Sequence, residues 1–409
     1  MSTTTGVHAL VRRTHEDRVL SALRAGGALS RAALARRVGL SRTTLSEITA
    51  NLLERGAIVV VDTDAQTRSG SGRPAERLAL DPGSGQFLGI DFGHRRVHAA
   101  VADASHEIIA AGVEPYDDQT GWSQRITLAF ALIDSLCREH SIHLGALQAV
   151  GIGVPGPYSG TMASGAGAAR RPHAAPEGVD SAFAERFGAP VMVDNNTRLA
   201  ALAEAVLRPG EVRDLIYLRL SDGVGGGLVV AGRLVTGARG IAGELGHVTT
   251  DPAGVECRCG KRGCLETVAS VPAILDRCRA AGIAIRTLDD LAVAAAKADP
   301  AVDVVLRDVG ATVGRVLAAA AMVLDPAEVV IGGEIAHIAP VIVEQAAATL
   351  RYELYSVPMA EPVVMRAGQL RDSDGALGAL AATFHQSPLL VGYPEPATAV
   401  EDQPQRSAL

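Results

Sequence analysis

No apolar run in the 409 residues reaches the ~18–20 uninterrupted positions a membrane span needs, although hydrophobic residues make up 48% of the chain. The N-terminal stretch MSTTTGVHALVRRTHEDRVL lacks an uncharged apolar core, so it does not read as a secretory signal. These two absences predict a soluble cytoplasmic protein with no membrane partner. Repeats of solenoid type are missing as well. Cysteine is sparse: there are five, of which Cys257, Cys259 and Cys264 lie close together while Cys137 and Cys278 stand alone. In a cytosolic chain such clustering points to metal rather than disulfides. Lysine does not occur in residues 1–80, yet twelve Arg there outnumber seven Asp and Glu, a surplus of five positive charges. The whole chain carries −7, so the remainder carries −12. The overall negative balance thus hides a basic module joined to an acidic one. At this length two to four units are expected rather than one core.

The first 80 residues read as helices and then alternating strands. Residues 15–24 and 31–38 form two helical patterns separated by Gly26 and Gly27. Gly39 stops the second, and Ser41 is placed to cap a third over residues 42–55, with Leu45, Ile48, Leu52 and Leu53 at helical spacing. The β-branched run at 57–61 and the alternation at 77–80 predict a two-stranded wing with its tip at 62–73. The segment SRAALARRVGLSRTTLSEITANLLERGAIV resembles the winged helix-turn-helix of bacterial repressors, over nearly all of residues 15–80. That resemblance puts Ser41, Arg42, Thr43, Thr44 and Ser46 at the start of the recognition helix, where side chains reach base edges in the major groove. Arg31, Arg36 and Arg37 would neutralise phosphates, which supplies affinity and salt dependence but little specificity. Gly72-Arg73-Pro74 offers a Pro-stiffened Arg73 at the wing tip, suited to a narrow minor groove. The competing reading is a protein-binding module with its arginines as a solvated face. The basic surplus carried without lysine and the Gly-Arg-Pro wing favour double-stranded operator DNA.

From residue 87 onward strands and helices are mixed. Strands are predicted at 87–91, 97–103, 149–154, 191–193, 215–220, 228–230 and 329–331, and helices at 125–140, 197–207, 268–280 and 304–323. This is an α/β pattern, and two lobes would leave a cleft between them. The Pro-rich polar stretch 386–409 is expected to be a disordered tail. The most specific signal in the chain is Gly243-Glu244-Leu245-Gly246-His247, followed by Cys257-Arg258-Cys259-Gly260-Lys261-Arg262-Gly263-Cys264-Leu265-Glu266. His247, Cys257, Cys259 and Cys264 match the tetrahedral set that Zn2+ prefers, and four protein ligands make a closed, structural site. Reduced cysteines without metal are the alternative. A bare Cys-x-Cys would not separate the two readings, but the added histidine and glycines do.

GELGH and CRCGKRGCLE resemble the GEIGH and CxCGxxGCxE motifs of the ROK family (repressors, open reading frames and sugar kinases), and the resemblance extends over almost all of residues 15–385. It implies a winged helix-turn-helix domain at residues 1–80. A two-lobed actin/hexokinase-like (ribonuclease H-like) ROK domain at residues 85–385 would follow, in which zinc holds a loop that walls a sugar site. It also implies that Glu244, His247 and Glu266 contact sugar hydroxyls, with Asn195 and Asn196 in the same ligand set. Carboxylates and imidazole suit this work because they make charge-assisted hydrogen bonds to vicinal hydroxyls. His247 would serve zinc through one nitrogen and a hydroxyl through the other. For Glu244 and Glu266 the rival reading is a buried structural polar group.

The chain departs from the family's kinases at three places. The motif Asn-Asp-Ala-Asn reads Asn195-Asn196-Thr197-Arg198, so the proton-accepting Asp is replaced by Asn196, whose amide cannot act as a general base near neutral pH. Asp194 is adjacent but points elsewhere. Asp-x-Gly-Gly-Thr reads Asp91-Phe92-Gly93-His94-Arg95, which puts bulk where backbone approaches phosphate. The second phosphate loop reads Ser221-Asp222-Gly223-Val224-Gly225-Gly226-Gly227, where a carboxylate would face phosphates at a cost of roughly 4 kcal/mol. The Ile331-Gly332-Gly333-Glu334 turn keeps the family form, and packing explains its glycines equally well. The family's Asn-x-x-x-Trp sugar segment has no counterpart in residues 164–180. The expectation is a transcriptional repressor, dimeric or tetrameric, that senses a sugar or sugar derivative without catalysis. An active ATP-dependent sugar kinase with an appended DNA-binding module, or a cleft that docks another protein, are the other readings.

Overall fold

The computed structural model describes residues 15–16, 18–20, 22–23, 27–54, 56–63, 76–81, 85–104, 106–156, 178–206, 214–354, 362–370 and 373–386. Contacts divide the chain into two units: residues 1–86 with 103–107 and 384–409, and residues 87–102 with 108–383. Arg73 at the expected wing tip and the expected tail at 387–409 lie outside the described residues.

In the first unit the Ser30 hydroxyl accepts from the Ala33 backbone N–H (3.3 Å) and starts the helix Arg31–Val38, which Gly39 ends in the left-handed conformation at φ 65°. Two residues later Ser41 accepts from the Thr44 N–H (3.1 Å) and starts Arg42–Glu54. Leu34, Val38, Leu45, Ile48 and Leu52 bury their apolar faces together with Val19, Leu20 and Leu23 from the helical residues before Gly27. A small sheet closes this core: β1 (Leu29–Ser30), β2 (Ile58–Thr63) and β3 (Glu76–Leu80), in the order β1-β3-β2 and antiparallel throughout. The expected two-stranded wing therefore has a third strand. Residues 29 and 30 are too short a run to register as a strand pattern, and they become one only because Leu29 pairs with Leu78.

The second unit holds two five-stranded mixed sheets. The first contains β4 (Gln86–Phe92), β5 (Arg96–Asp103), β6 (Ile108–Pro115), β7 (Leu147–Val154) and β8 (Val191–Asn195), in the order β6-β5-β4-β7-β8. The second contains β9 (Leu215–Leu220), β10 (Val224–Val230), β11 (Arg233–Leu234), β12 (Glu328–Gly332) and β13 (Val364–Ala367), in the order β11-β10-β9-β12-β13. In both sheets three consecutive strands precede two that add on the far side of the first, and β7–β8 and β12–β13 are parallel. Each sheet has its own apolar core, one with Trp122–Glu139 and Val179–Phe187, the other with Pro300–Leu324 and Pro340–Glu353. These are the two lobes of the α/β fold.

The helix Asn196–Val206 is buried over residues 196–205 and joins the lobes. One side packs on β9 and β10, while Leu199 and Leu202 pack against Ala379, Ala381 and Ala382 of Asp374–Gln386. The approach to β10 is close because a Cβ at Gly225 would sit 2.4 Å from Thr197 Oγ1, and one at Gly227 2.5 Å from Ala201 Cβ. The glycines that read as a phosphate loop are thus a packing surface for this helix, and the strand begins at Val224 rather than at 228. The single helix expected over 268–280 is two, Glu266–Ala269 and Val271–Ala280. Between them Ser270 is extended and caps the second, and Pro272 cannot continue the first. Among the described residues no helix is long and apolar enough to cross a membrane.

Candidate functional site

The helix Arg42–Glu54 presents a polar N-terminal end. Ser41, Arg42, Thr43 and Ser46 are exposed, and Thr44 is half-buried with its hydroxyl 2.8 Å from that of Ser41. Arg36 and Arg37, in the last turn of Arg31–Val38, are also exposed. Arg31, expected at phosphate, also makes contacts within the domain. It donates to the Thr49 hydroxyl and lies 3.6 Å from Glu76, so its charge ties the first helix to the second and to β3. Arg77, which the sequence did not single out, donates to the Ala28 carbonyl (2.7 Å) and holds the start of β1. What remains outward is a basic and hydroxyl-rich end of one helix flanked by two arginines, the chemistry of groove and phosphate contact.

In the second unit the metal-ligating side chains converge. The chain folds back after Asp251 because Gly263, at φ 63°, lies against the Asp251 carbonyl, where any Cβ would meet oxygen at 1.5 Å. The Cys257 N–H donates to the Lys261 carbonyl (2.7 Å), and the Lys261 ammonium donates to the His247 carbonyl (2.6 Å). Ligand atoms of His247, Cys257, Cys259 and Cys264 all lie within 4.8 Å of one another, so the four could hold a metal ion. Cys257 Sγ is 3.6 Å from His247 Nδ1, and Cys259 Sγ is 3.6 Å from Cys264 Sγ. Tetrahedral ligands at ~2.3 Å from a zinc ion stand about 3.8 Å apart, so the donor set fits that cation in spacing as in chemistry. Burial pushes the Cys257 thiol up to about 12, so a cation is needed to hold it as thiolate at neutral pH.

A cleft of about 510 Å3 runs past this loop, lined by Asn195, Asn196, Glu244, His247 and Glu266 at one end. His247 turns Nδ1 to the cysteines and Nε2 toward Glu244, whose Oε2 is 3.8 Å away. Glu266 is buried at the start of its short helix and accepts from Arg258 Nε (2.8 Å), Arg258 Nη2 (2.6 Å) and the Val224 N–H (3.1 Å). Burial works to raise its carboxyl, but the Arg258 guanidinium and these bonds outweigh it and hold the carboxyl below its ordinary value. Arg258, the variable position inside Cys-x-Cys, was not among the expected site residues. Asn195, which lines the cleft, also has a structural task. Its Oδ1 accepts from the Thr197 and Arg198 N–H groups and its Nδ2 donates to the Gly156 carbonyl, so the side chain caps the helix Asn196–Val206. Asn196 donates to the Phe92 carbonyl (3.3 Å). Asp194 is held by Arg198, whose Nε donates to it at 2.9 Å.

At the other end of the cleft the loops that correspond to the kinase pattern's phosphate loops carry charges that pair with each other. Asp222 was expected to face phosphate with its carboxylate. It lies 3.7 Å from Arg95, the residue that breaks the first loop. Arg96 donates to Glu334 at 2.5 Å. Beneath them Arg219 of β9 reaches Asp374 at 3.0 Å and Asp91 at 3.7 Å, and Tyr217 donates to Asp374. Burial raises Asp374 to about 6 despite Arg219 beside it. For Arg219 burial works against the charge, but Asp374 and Asp91 outweigh it and keep the guanidinium protonated. One signal for these partners was in the sequence: an extra Arg and an extra Asp at two loops that normally meet the same ligand.

The sequence pattern of the ROK family matches residues 87–386, and a winged helix-turn-helix DNA-binding pattern matches residues 16–59. The chain belongs to the ROK family and carries an N-terminal winged helix-turn-helix. It is 30% identical over 344 residues to the DNA-binding transcriptional dual regulator NagC of Escherichia coli K12, spanning 80% of this chain and 82% of that one. It is 38% identical over 194 residues to an N-acetylmannosamine kinase of Citrobacter koseri, spanning 47% of this chain and 64% of the relative. Among solved structures, a ROK family transcriptional regulator described as a homolog of the E. coli MLC protein matches with TM-score 0.74 at 23% identity, covering 93% of this chain and 98% of that one. At that identity the likeness shows the fold.

Proposed function

We infer that the chain is a transcriptional regulator, acting as a repressor, that binds double-stranded operator DNA and senses a sugar or sugar derivative in a ROK cleft without transferring phosphate. The observation that carries this is the buried amide of Asn196, engaged with the Phe92 carbonyl where a kinase of this family places its proton acceptor. A neutral amide can orient a hydroxyl but cannot take its proton near neutral pH. The Arg95–Asp222 and Arg96–Glu334 pairs at the phosphate end support the same reading, as does the similarity to a DNA-binding regulator over most of both chains.

Residues 1–80 form the DNA-binding domain in this reading, and residues 85–385 the sensor. Ser41, Arg42, Thr43, Thr44 and Ser46 read bases, and Arg36, Arg37 and Arg73 contact the backbone or minor groove. Arg31 serves mainly to position the helices. Glu244, His247, Glu266 and Asn196 face the sugar, and Asn195 holds Asn196 in place. A structural zinc ion would be held by His247, Cys257, Cys259 and Cys264, where it fixes the loop that walls the cleft. The protein acts in the cytoplasm as a homodimer or homotetramer. The test is a gel shift with operator DNA over a panel of hexoses, amino sugars and their derivatives, in which one sugar changes DNA affinity at least tenfold. A panel that changes neither DNA binding nor thermal stability refutes the sensor.

The similarity to an N-acetylmannosamine kinase supports a second reading, an active sugar kinase with an appended DNA-binding module. Coupled ADP-release assays over the same panel separate the two, since turnover by the native chain would assign a base other than residue 196.

A further inference from the structure

The residues that break the kinase loops stand opposite each other across the cleft. Arg95 lies in the turn between β4 and β5, on the first lobe, and Asp222 in the turn between β9 and β10, on the second. Arg96, the next residue, reaches Glu334, which starts the helix after β12 and so belongs to the second lobe. Both pairs therefore join one turn of the first sheet to two loops of the second. They differ in kind from the junction beneath them. There Arg219 of the second lobe meets Asp91 and Asp374 of the first, with side chains 12%, 2% and 0% exposed. Parting that junction would strand buried charges, which is strongly unfavourable. At the rim Arg95 is 66% exposed and Asp222 30%, so water can replace each partner when the pair opens, while Arg96 and Glu334, 30% and 17% exposed, are more shielded but still reached by solvent.

We propose that Arg95–Asp222 and Arg96–Glu334 form a releasable clasp that holds the two lobes together over the cleft, with the buried Arg219 junction as the pivot about which they part. An exposed pair such as Arg95–Asp222 changes an equilibrium by up to about fivefold, and with the more shielded Arg96–Glu334 pair acting on the same motion the factors multiply to on the order of tenfold to thirtyfold. That is small enough for a ligand in the cleft to override and large enough to shift the ligand-free chain measurably toward the closed state. Screening of solvent-facing charges makes the clasp salt-dependent. The clasp does not depend on which molecule the cleft takes.

Hydrogen exchange on the full chain tests this with Arg95→Asp, Asp222→Arg and the double swap. Each single variant should speed exchange several-fold at both turns, residues 93–95 and 221–223, and the swap should bring both back to within about twofold of the native rates. Glu334→Gln, which keeps shape and removes charge, should loosen the first turn as well. In the native chain raised salt should speed both turns together. A single variant that disturbs only its own turn, or a swap no better than either single, overturns the clasp. If Asp222→Arg disturbs folding, the salt response of the native chain decides, and rates that do not move with salt overturn it.

Discussion

Asp374 sits fully buried between Arg219 and the Tyr217 hydroxyl, and its carboxyl is raised to about 6. In the unfolded chain it titrates near 3.9, so between about pH 4 and 6 the folded state holds the extra proton and this group makes stability fall as pH rises. Asp374→Asn removes that dependence. Relative to the native chain the variant should gain stability from pH 4 to pH 6, by up to about 3 kcal/mol, as read from urea midpoints at each pH. A difference flat with pH would contradict the burial. Asn196→Asp restores the missing proton acceptor, yet Arg95 and Asp222 still pair across the phosphate end. No ADP release above background is expected from it with any sugar in a coupled assay, because His94 and Arg95 also put bulk where the first loop would bring backbone to phosphate, and turnover would mean that these departures do not exclude nucleotide. At this scale the sequence was legible where one residue type has one use, as for the three cysteines and His247. It told less where a side chain has several uses, as for Asn195, which also starts a helix, and Glu266, which also accepts from Arg258.

The elements of the first unit follow from their punctuation. Ser30, Gly39 and Ser41 place two helix starts and one stop within twelve residues, which sets the angle of the recognition helix. Gly39→Ala would force a Cβ into the left-handed conformation and should cost about 1–2 kcal/mol in a denaturation curve. Arg36→Ala should weaken DNA binding about equally for every sequence and lower the salt slope by about 1, whereas Arg42→Ala should cost about 1–3 kcal/mol and relax sequence preference, both measured by titration against operator and scrambled DNA. The loop between Asp251 and Cys264 has almost no apolar side chain to bury, so in this account a cation organises it. Chelation should release one zinc ion per chain, as counted by a metal-sensitive dye, and lower the thermal midpoint, and Cys264→Ala should do the same. A midpoint indifferent to chelation would show that the loop holds itself. Element breaks were the least legible feature: Ser270 splits a continuous apolar pattern, and Leu29 and Ser30 form a strand only through a partner forty-nine residues on.

At the scale of the molecule, alternating strands and helices revealed an α/β fold with two lobes, but not that β4–β8 and β9–β13 repeat one strand order. The repeat lies in strand order, which residue pattern alone does not carry. Three features meet in this chain: a basic helix end, a cleft whose base is an amide, and loops whose charges face each other. In the proposed reading, binding at the cleft and at DNA is linked, and linkage is reciprocal. The most direct measurement is calorimetric titration of the full chain with the responding sugar, alone and saturated with operator DNA. DNA should shift the sugar affinity by the same factor, tenfold or more, by which the sugar shifts DNA affinity. Equal sugar affinities with and without DNA would contradict it.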